Sequence, residues 1–400
     1  MDKIITVVMG RNYMSLLSMT RSAGTAGYPV YVVKTVKKIP GKYSPYRWSV
    51  DAHSKYVKDC FYVKQNDDKG LIDLLVDRFR SHDGKIVLLP TDDRTVAAIE
   101  FYKERLDDRF LFPYASGEQS VLELMDKKAQ KAFATAEGLP VAQGWTTEVK
   151  NGAFEIPEGI LYPVFTKPQI SFAGNKRFMK RCDNETELRE ILQRIAEQRD
   201  CPMLIEQFAE IEKEYGVLAY CNSEEPVVPC LVDKVEIGQG THKGVTMIGR
   251  VLPLETENRE LQEKLKAFLK RTGFVGLVDI DLYESKGVIY FNELNLRFGA
   301  FGYAAMCAGI NMPQMLISRL LGRKLTDPKT CMDRPITCLS EKVNLEDYAD
   351  GYCSRSVYRQ RMTQAEYAFI RSEDDMRPYR YFKFEEVKQT LKRTLRKGRK

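Results

Sequence analysis

Residues Val278 to Gly302 read VDIDLYESKGVIYFNELNLRFGAFG. Leu277 to Leu282 is apolar except for Asp279 and Asp281, Glu284-Ser285-Lys286-Gly287 has turn chemistry, and Val288 to Phe291 reads as a return strand. The stretch is therefore a β-hairpin. Its second strand runs on into Glu293, Asn295 and Arg297, which an ordinary buried strand would not carry. Side chains alternate faces along a strand, so these three share one face if it stays extended. A tight hairpin brings Asp281 opposite them, with Asp279 as its competitor. Two carboxylates and an amide then stand beside a fixed cation. Mg²⁺ takes hard oxygen ligands and shares them with phosphates. A guanidinium holds the negative charge that develops on such groups. A surface hairpin with charged edges is the plain alternative, and the apolar residues around the charges weigh against it.

The chain has 400 residues, 44% of them hydrophobic, enough for a large core in two or three domains. No apolar run approaches the roughly 20 residues of a membrane span. Met1 to Gly10 holds one short apolar strand and no small-residue cleavage pattern, so it does not read as a signal peptide. The nine cysteines form no C-x-x-C pair and read as reduced thiols of a cytoplasmic protein. With only His53, His82 and His242, a zinc site or a histidine triad is not expected. The net charge is +7, and residues 383–400 alone carry eight basic and two acidic residues. The rest is close to neutral, which argues against a specific nucleic-acid surface.

Ile4 to Met9 reads as a buried strand, Gly10 as a tight turn, and Asn12 as the cap of a helix through Ala26. Pro29 to Val33 is the next strand. Lys85 to Leu89 is a later one, ending in Pro90-Thr91-Asp92-Asp93 before another helix. Strand alternating with helix predicts a doubly wound α/β domain over roughly residues 1–115. Its ligand crevice would lie at the strand ends, where Gly10, Arg11 and Asp92-Asp93 fall. Asp92 is read equally as a helix cap and as a substrate contact.

Beyond residue 115, helices are expected at Ser120 to Gly138, Asn184 to Arg199 (with Asn184 and Glu187 as a capping box), Asn258 to Thr272 and Pro313 to Leu321. Strands are expected at Pro163 to Pro168, Leu204 to Phe208, Tyr215 to Tyr220 and Val227 to Val235. Residues 326–400 show no clear period before Tyr381.

Several short runs occur in order: Met125-Asp126-Lys127, Gly138-Leu139-Pro140-Val141, Pro163 to Pro168 with Lys167, Leu204-Ile205-Glu206-Gln207-Phe208, Glu214, and Glu293-Leu294-Asn295-Leu296-Arg297. The ordered set resembles the ATP-grasp superfamily of carboxylate–amine ligases, such as D-alanine–D-alanine ligase, biotin carboxylase and carbamoyl-phosphate synthetase. The resemblance covers residues 1 to about 325. It implies an α/β fold (α+β in the nucleotide domain), with a Rossmann-like pre-ATP-grasp domain over 1–115 and an ATP-grasp domain over 116–325. The latter divides into a small lid subdomain (about 120–205) and a large one (about 206–325), and 326–400 follows as a C-terminal extension.

By the same resemblance Lys127 and Lys167 contact nucleotide phosphates, with Lys128 as the neighbour that could replace Lys127. Ser171 to Asn175 resembles the phosphate-covering loop. The Glu206-Gln207-Phe208 backbone reads the adenine edge, and Phe208 packs the ring. Glu214 accepts from the ribose, and Lys234 is a third phosphate contact. Asp281, Glu293 and Asn295 become ligands of Mg²⁺, for which Mn²⁺ can substitute, and Arg297 acts on the transferring phosphoryl group. Gly238 to Gly244 either closes over the acceptor or is a plain Gly-rich turn. The implied reaction joins a carboxylate to an amine through an acyl phosphate, with ATP consumed. The Asn295 to Gly299 run and the 302–321 helical stretch look nearest to the carbamoyl-phosphate synthetase-like group, which suggests an amino-acid or cell-wall-precursor substrate. A nucleotide-binding regulator without turnover and an enzyme with a thiol acceptor are the alternatives. A homodimer fits the same reading.

Phe384, Val387, Leu391 and Leu395 make an apolar helical stripe among Lys388, Lys392, Arg393, Arg396 and Lys397. This predicts either peripheral docking on an anionic membrane or polymer, or a terminal helix packed on the protein with a solvated basic face.

Overall fold

The computed structural model describes residues 3–41, 49–173, 176–240 and 243–397. Gly174-Asn175 of the expected loop and Thr241-His242 of the Gly-rich segment lie outside the described residues, as do the side chains of Lys392, Arg393, Leu395, Arg396 and Lys397.

The first sheet contains β1 (Ile5–Gly10), β2 (Val30–Val36), β3 (Val57–Lys64), β4 (Ile86–Pro90) and β5 (Phe110–Leu111). The order is β3-β2-β1-β4-β5, and every pairing is parallel. β1 and β4 are buried at every residue, as befits central strands covered on both faces. The strand order reverses between β1 and β4, so a crevice opens at their carboxyl ends. Asn12 caps the helix Tyr13–Thr25 by accepting from the Met14 amide at 2.9 Å.

After the short β6 (Tyr114–Ala115), a second sheet is antiparallel throughout: β7 (Gly144–Val149), β8 (Val164–Pro168), β9 (Lys180–Cys182) and β10 (Cys201–Gln207), in the order β7-β10-β8-β9. The helix Glu185–Ala196 packs Leu188, Ile191, Leu192 and Ile195 against it. Asn184 caps that helix, accepting from the Glu187 amide at 3.0 Å.

The third sheet follows the order β15-β14-β11-β12-β13-β16-β17, with β6 alongside β14. Its strands are β11 (Lys213–Cys221), β12 (Val227–Ile237), β13 (Thr246–Pro253), β14 (Phe274–Ser285), β15 (Val288–Asn295), β16 (Ile336–Leu339) and β17 (Tyr367–Ala368). The helix Arg259–Thr272 covers one face through Leu261, Leu265, Phe268 and Leu269.

Three expectations change. The helix expected from Ser120 begins only at Lys127, because Asp126 caps it by accepting from the Lys128 and Ala129 amides. The stretch after residue 325 is woven into the molecule. β16 extends the third sheet beside β13, and Asp375 forms a fully buried ion pair with Arg21 of the first helix at 3.1 Å. The last helix, Arg377–Lys397, packs through Phe382, yet Phe384 (76% exposed), Val387 (59%) and Leu391 (58%) face solvent. The stripe itself is therefore not packed. Among the described residues no helix is long and apolar enough to cross a membrane.

Candidate active site

A cavity of about 840 Å³ is lined by all three sheets: Arg11, Asp92 and Asp93 from the first, Lys167 and Glu206 from the second, Lys234 and Asp281 from the third. Of the residues singled out above for nucleotide, metal or phosphoryl chemistry, Lys167, Glu206, Lys234 and Asp281 line it, with Ser171 from the expected covering loop. Lys127, Gln207, Phe208, Glu214, Glu293, Asn295 and Arg297 complete that set.

The β14–β15 hairpin builds one wall. Asp281 stands opposite Glu293 and Asp279 opposite Asn295. A β-bulge lies between, since Leu282 pairs with Phe291 and leaves Asn292 as the extra residue. The bulge explains how Phe291 reaches the core while Glu293, two residues on, lines the cavity. Strict alternation would have placed both on one face. Asn292 also lines the cavity and accepts from Lys167 Nζ at 2.9 Å. The strand ends at Asn295, so Arg297 reaches the cavity from the following turn. Its Nη1 donates to Asp279. A Cβ at residue 299 would lie 2.3 Å from Asp279 Oδ2, so only glycine leaves room for that carboxylate.

Each carboxylate is held by a cation. Lys127 Nζ lies 3.1 Å from Glu293 and donates to Ser171 Oγ at 2.9 Å. Lys234 Nζ lies 2.9 Å from Asp281 and 3.5 Å from Glu214. Asn295 Nδ2 donates to Asp281 Oδ2 and to the Asp279 carbonyl, both at 3.2 Å. Lys127 is buried whereas Lys128 is exposed, so Lys127 is the one that reaches the cavity.

Charge and burial compete here. Burial raises the Glu293 carboxyl, but Lys127 and Lys167 outweigh it and hold it below the usual value. Asp279 is raised by burial, against the pull of Arg297. Burial disfavours the charged forms of Lys234 and Arg297, yet both are held above their ordinary values, Lys234 by Asp281 and Glu214 and Arg297 by Asp279 and Asp93.

The Glu206 side chain has partners that the sequence did not announce. Its carboxylate is buried between Lys131 and Lys167, each at 2.5 Å. The Gln207 and Phe208 amides donate to the Gln143 and Pro163 carbonyls, both at 2.9 Å, so those N–H groups are spent and cannot read a base edge. The Phe208 ring lines the cavity, and the Arg181 guanidinium covers it at 4.4 Å. Lys131 and Asn292 were not read from the sequence. Lys131 could have been, since it sits one helical turn after Lys127 on the same face. Burial lowers its ammonium, more than Glu206 raises it.

Among the described residues no three His, Cys, Asp or Glu side chains converge on one point. The donor set of Asp281, Glu293 and the Asn295 carbonyl is nevertheless hard oxygen on one wall, and its chemistry fits Mg²⁺.

No protein-family model matches the chain. It is 28% identical over 211 residues to the C-terminal section of the carbamoyl phosphate synthase large chain of Methanocaldococcus jannaschii, a match covering 51% of this chain and 33% of that protein. The matched segment thus spans about a third of that relative. The L-amino acid ligase of Bacillus licheniformis superposes with a TM-score of 0.58 at 14% identity, covering 84% of this chain and 79% of the other. The biotin carboxylase domain of Hydrogenobacter thermophilus 2-oxoglutarate carboxylase, solved with MgADP, ADP and bicarbonate, superposes with a TM-score of 0.62 at 16% identity, covering 84% and 74%.

Proposed function

We propose that this chain, which has the ATP-grasp fold, is an ATP-dependent carboxylate–amine ligase. One observation carries the reading: two cross-strand carboxylates, the lysines Lys127, Lys167 and Lys234, and Arg297 line a single cavity between three sheets. Phosphoryl transfer is catalysed mostly by positioning and charge neutralisation, and this wall supplies both. A regulator that only bound nucleotide would not need Arg297 held against Asp279 at the carboxylate wall. In this reading residues 1–115 form the pre-ATP-grasp domain and 116–325 the ATP-grasp domain.

Asp281, Glu293 and Asn295 would hold Mg²⁺, which would neutralise negative charge on the nucleotide phosphates. Lys127, Lys167 and Lys234 exchange their carboxylate partners for phosphate oxygens. The register that sets Asp281 opposite Glu293 supports Asp281 over Asp279 as the metal ligand, and Asp279 then serves as the counter-ion of Arg297. Arg297 and Lys167 stabilise the phosphoryl group as it passes to a substrate carboxylate. An amine then displaces phosphate from the acyl phosphate and leaves an amide. The phenyl ring of Phe208 packs on the base, and Glu214 accepts from the ribose.

Glu293→Ala tests the assignment. It should abolish ATP-dependent turnover and leave the circular-dichroism spectrum close to wild type. Full turnover in that variant would remove Glu293 from the metal site.

The exposed stripe of Phe384, Val387 and Leu391 on a basic helix supports peripheral docking on an anionic membrane. Sedimentation with anionic vesicles should carry down the full chain and not a chain cut at residue 382. Equal recovery of both in the supernatant would end that idea.

A further inference from the structure

The first sheet presents two charged groups to the cavity that the proposed chemistry does not use. Most polar groups at this strand end are spent. Asn12 caps its helix, and Thr91 Oγ1 donates to the Met9 carbonyl at 3.0 Å. Asp92 caps the next helix through the Thr95 amide at 2.9 Å, and its other oxygen accepts from the Arg11 amide at 2.8 Å. Asp93 and Arg11 remain. Asp93 Oδ1 is shut away from solvent with no hydrogen-bond partner among the described residues. Burial pushes this carboxyl up, and Arg297 is the strongest charge pulling it down. The Arg11 guanidinium is exposed, lines the cavity and has no ion pair among the described residues. The Arg11 amide donates to Asp92, the residue before Asp93, so the two residues sit at neighbouring strand ends and both line the cavity.

We propose, resting on the ligase reading above, that this patch takes an α-amino acid as the amine acceptor, its ammonium on Asp93 and its carboxylate on Arg11. A half-buried carboxylate that lines a cavity with one oxygen unpartnered is satisfied best by a charged donor. An ammonium brings three N–H groups. Asp93 and Arg297 line the same cavity, so an amine held there shares it with the acyl group that Arg297 serves. A guanidinium grips a carboxylate with paired hydrogen bonds, and Arg11 is free to do so.

The test is calorimetry on the full chain with Mg·ADP present. The probes are the proteinogenic L-α-amino acids and their D-enantiomers, each beside its des-carboxy amine. At least one amino acid should bind, and its des-carboxy amine should bind at least about tenfold more weakly. Asp93→Asn and Arg11→Gln should each weaken that amino acid at least about tenfold. Both should keep wild-type affinity for Mg·ADP, which also reports that they fold. In Arg11→Gln the gap between amino acid and des-carboxy amine should close. Failure of every amino acid to bind the wild type, or wild-type binding in both variants, overturns the proposal. Amino-acid binding without ADP release would instead overturn the ligase reading and leave this one standing. ADP release with an amine lacking the α-carboxylate would do the reverse.

Discussion

Glu293 is the residue where burial and charge are most finely opposed. Its carboxyl sits below its ordinary value of 4.5 because Lys127 and Lys167 outweigh the cost of burial. A carboxylate lowered on folding contributes stability above its unfolded value and loses it as the pH falls through the folded one. Urea unfolding of wild type and Glu293→Gln across pH should therefore show a wild-type advantage above about pH 4.5 that shrinks on acidification. An advantage that grew in acid would contradict the pairing with lysine. Arg297 tests geometry rather than charge. Arg297→Lys keeps a cation but loses the planar fork, and it should cut kcat/KM by roughly a hundredfold with little change in thermal midpoint. Near-normal kcat/KM would remove Arg297 from the phosphoryl site. At this scale the sequence was readable wherever residue type and chemistry coincide. Lys127, Lys167, Lys234, the singled-out carboxylates and Arg297 reach one cavity. The side chain of Glu206 and the amides of Gln207 and Phe208 were not readable, because only tertiary structure reveals what their polar groups are already bonded to.

The β14–β15 hairpin sets the site's register. Its two-residue turn, Lys286-Gly287, has positive φ at both positions (52° and 73°), the backbone of the turn type that matches strand twist. A Cβ at residue 287 would meet nothing within 4 Å. Gly287→Ala should thus cost only conformational energy, about 1–2 kcal/mol, read as a lower urea midpoint. Unchanged stability would mean that the turn has another conformation. The hairpin was legible from Asp281, Glu293 and the turn residues. Its bulge was legible too, though it went unread. Phe291, Leu294 and Leu296 are buried at intervals of three and then two, and that slip from period two marks one inserted residue. The helix expected from Ser120 is interrupted: Ser120 and Glu123 close a reciprocal cap over a single short turn, Glu123–Met125, and the extended Asp126 then caps a new helix.

Across the whole molecule the C-terminal stretch was the least legible part. β16 and β17 are four and two residues long, and such strands exist only through pairing with β13 and with each other. No local period announces them. Their anchor is Asp375, which accepts from Arg21 Nε at 3.1 Å, Ser54 Oγ at 2.6 Å and the Lys55 amide at 2.9 Å. Arg21 in turn donates to the Phe369 and Ile370 carbonyls. This clasp ties the C-terminal stretch to the first helix, and Phe369 itself lines the cavity. Asp375→Ala leaves a buried guanidinium unpaired and should cost about 3–5 kcal/mol in urea unfolding. A loss under about 1 kcal/mol would mean that the clasp is dispensable, since that is the range of exposed pairs.

The measurement that bears most directly on the ligase reading is ADP release from Mg·ATP across carboxylates and amines, alone and in pairs, with mass detection of products. The account predicts release that depends on a pair, with a product whose mass equals the two joined less one water. Mg·ATP binding by calorimetry, with no release from any pair, would contradict it.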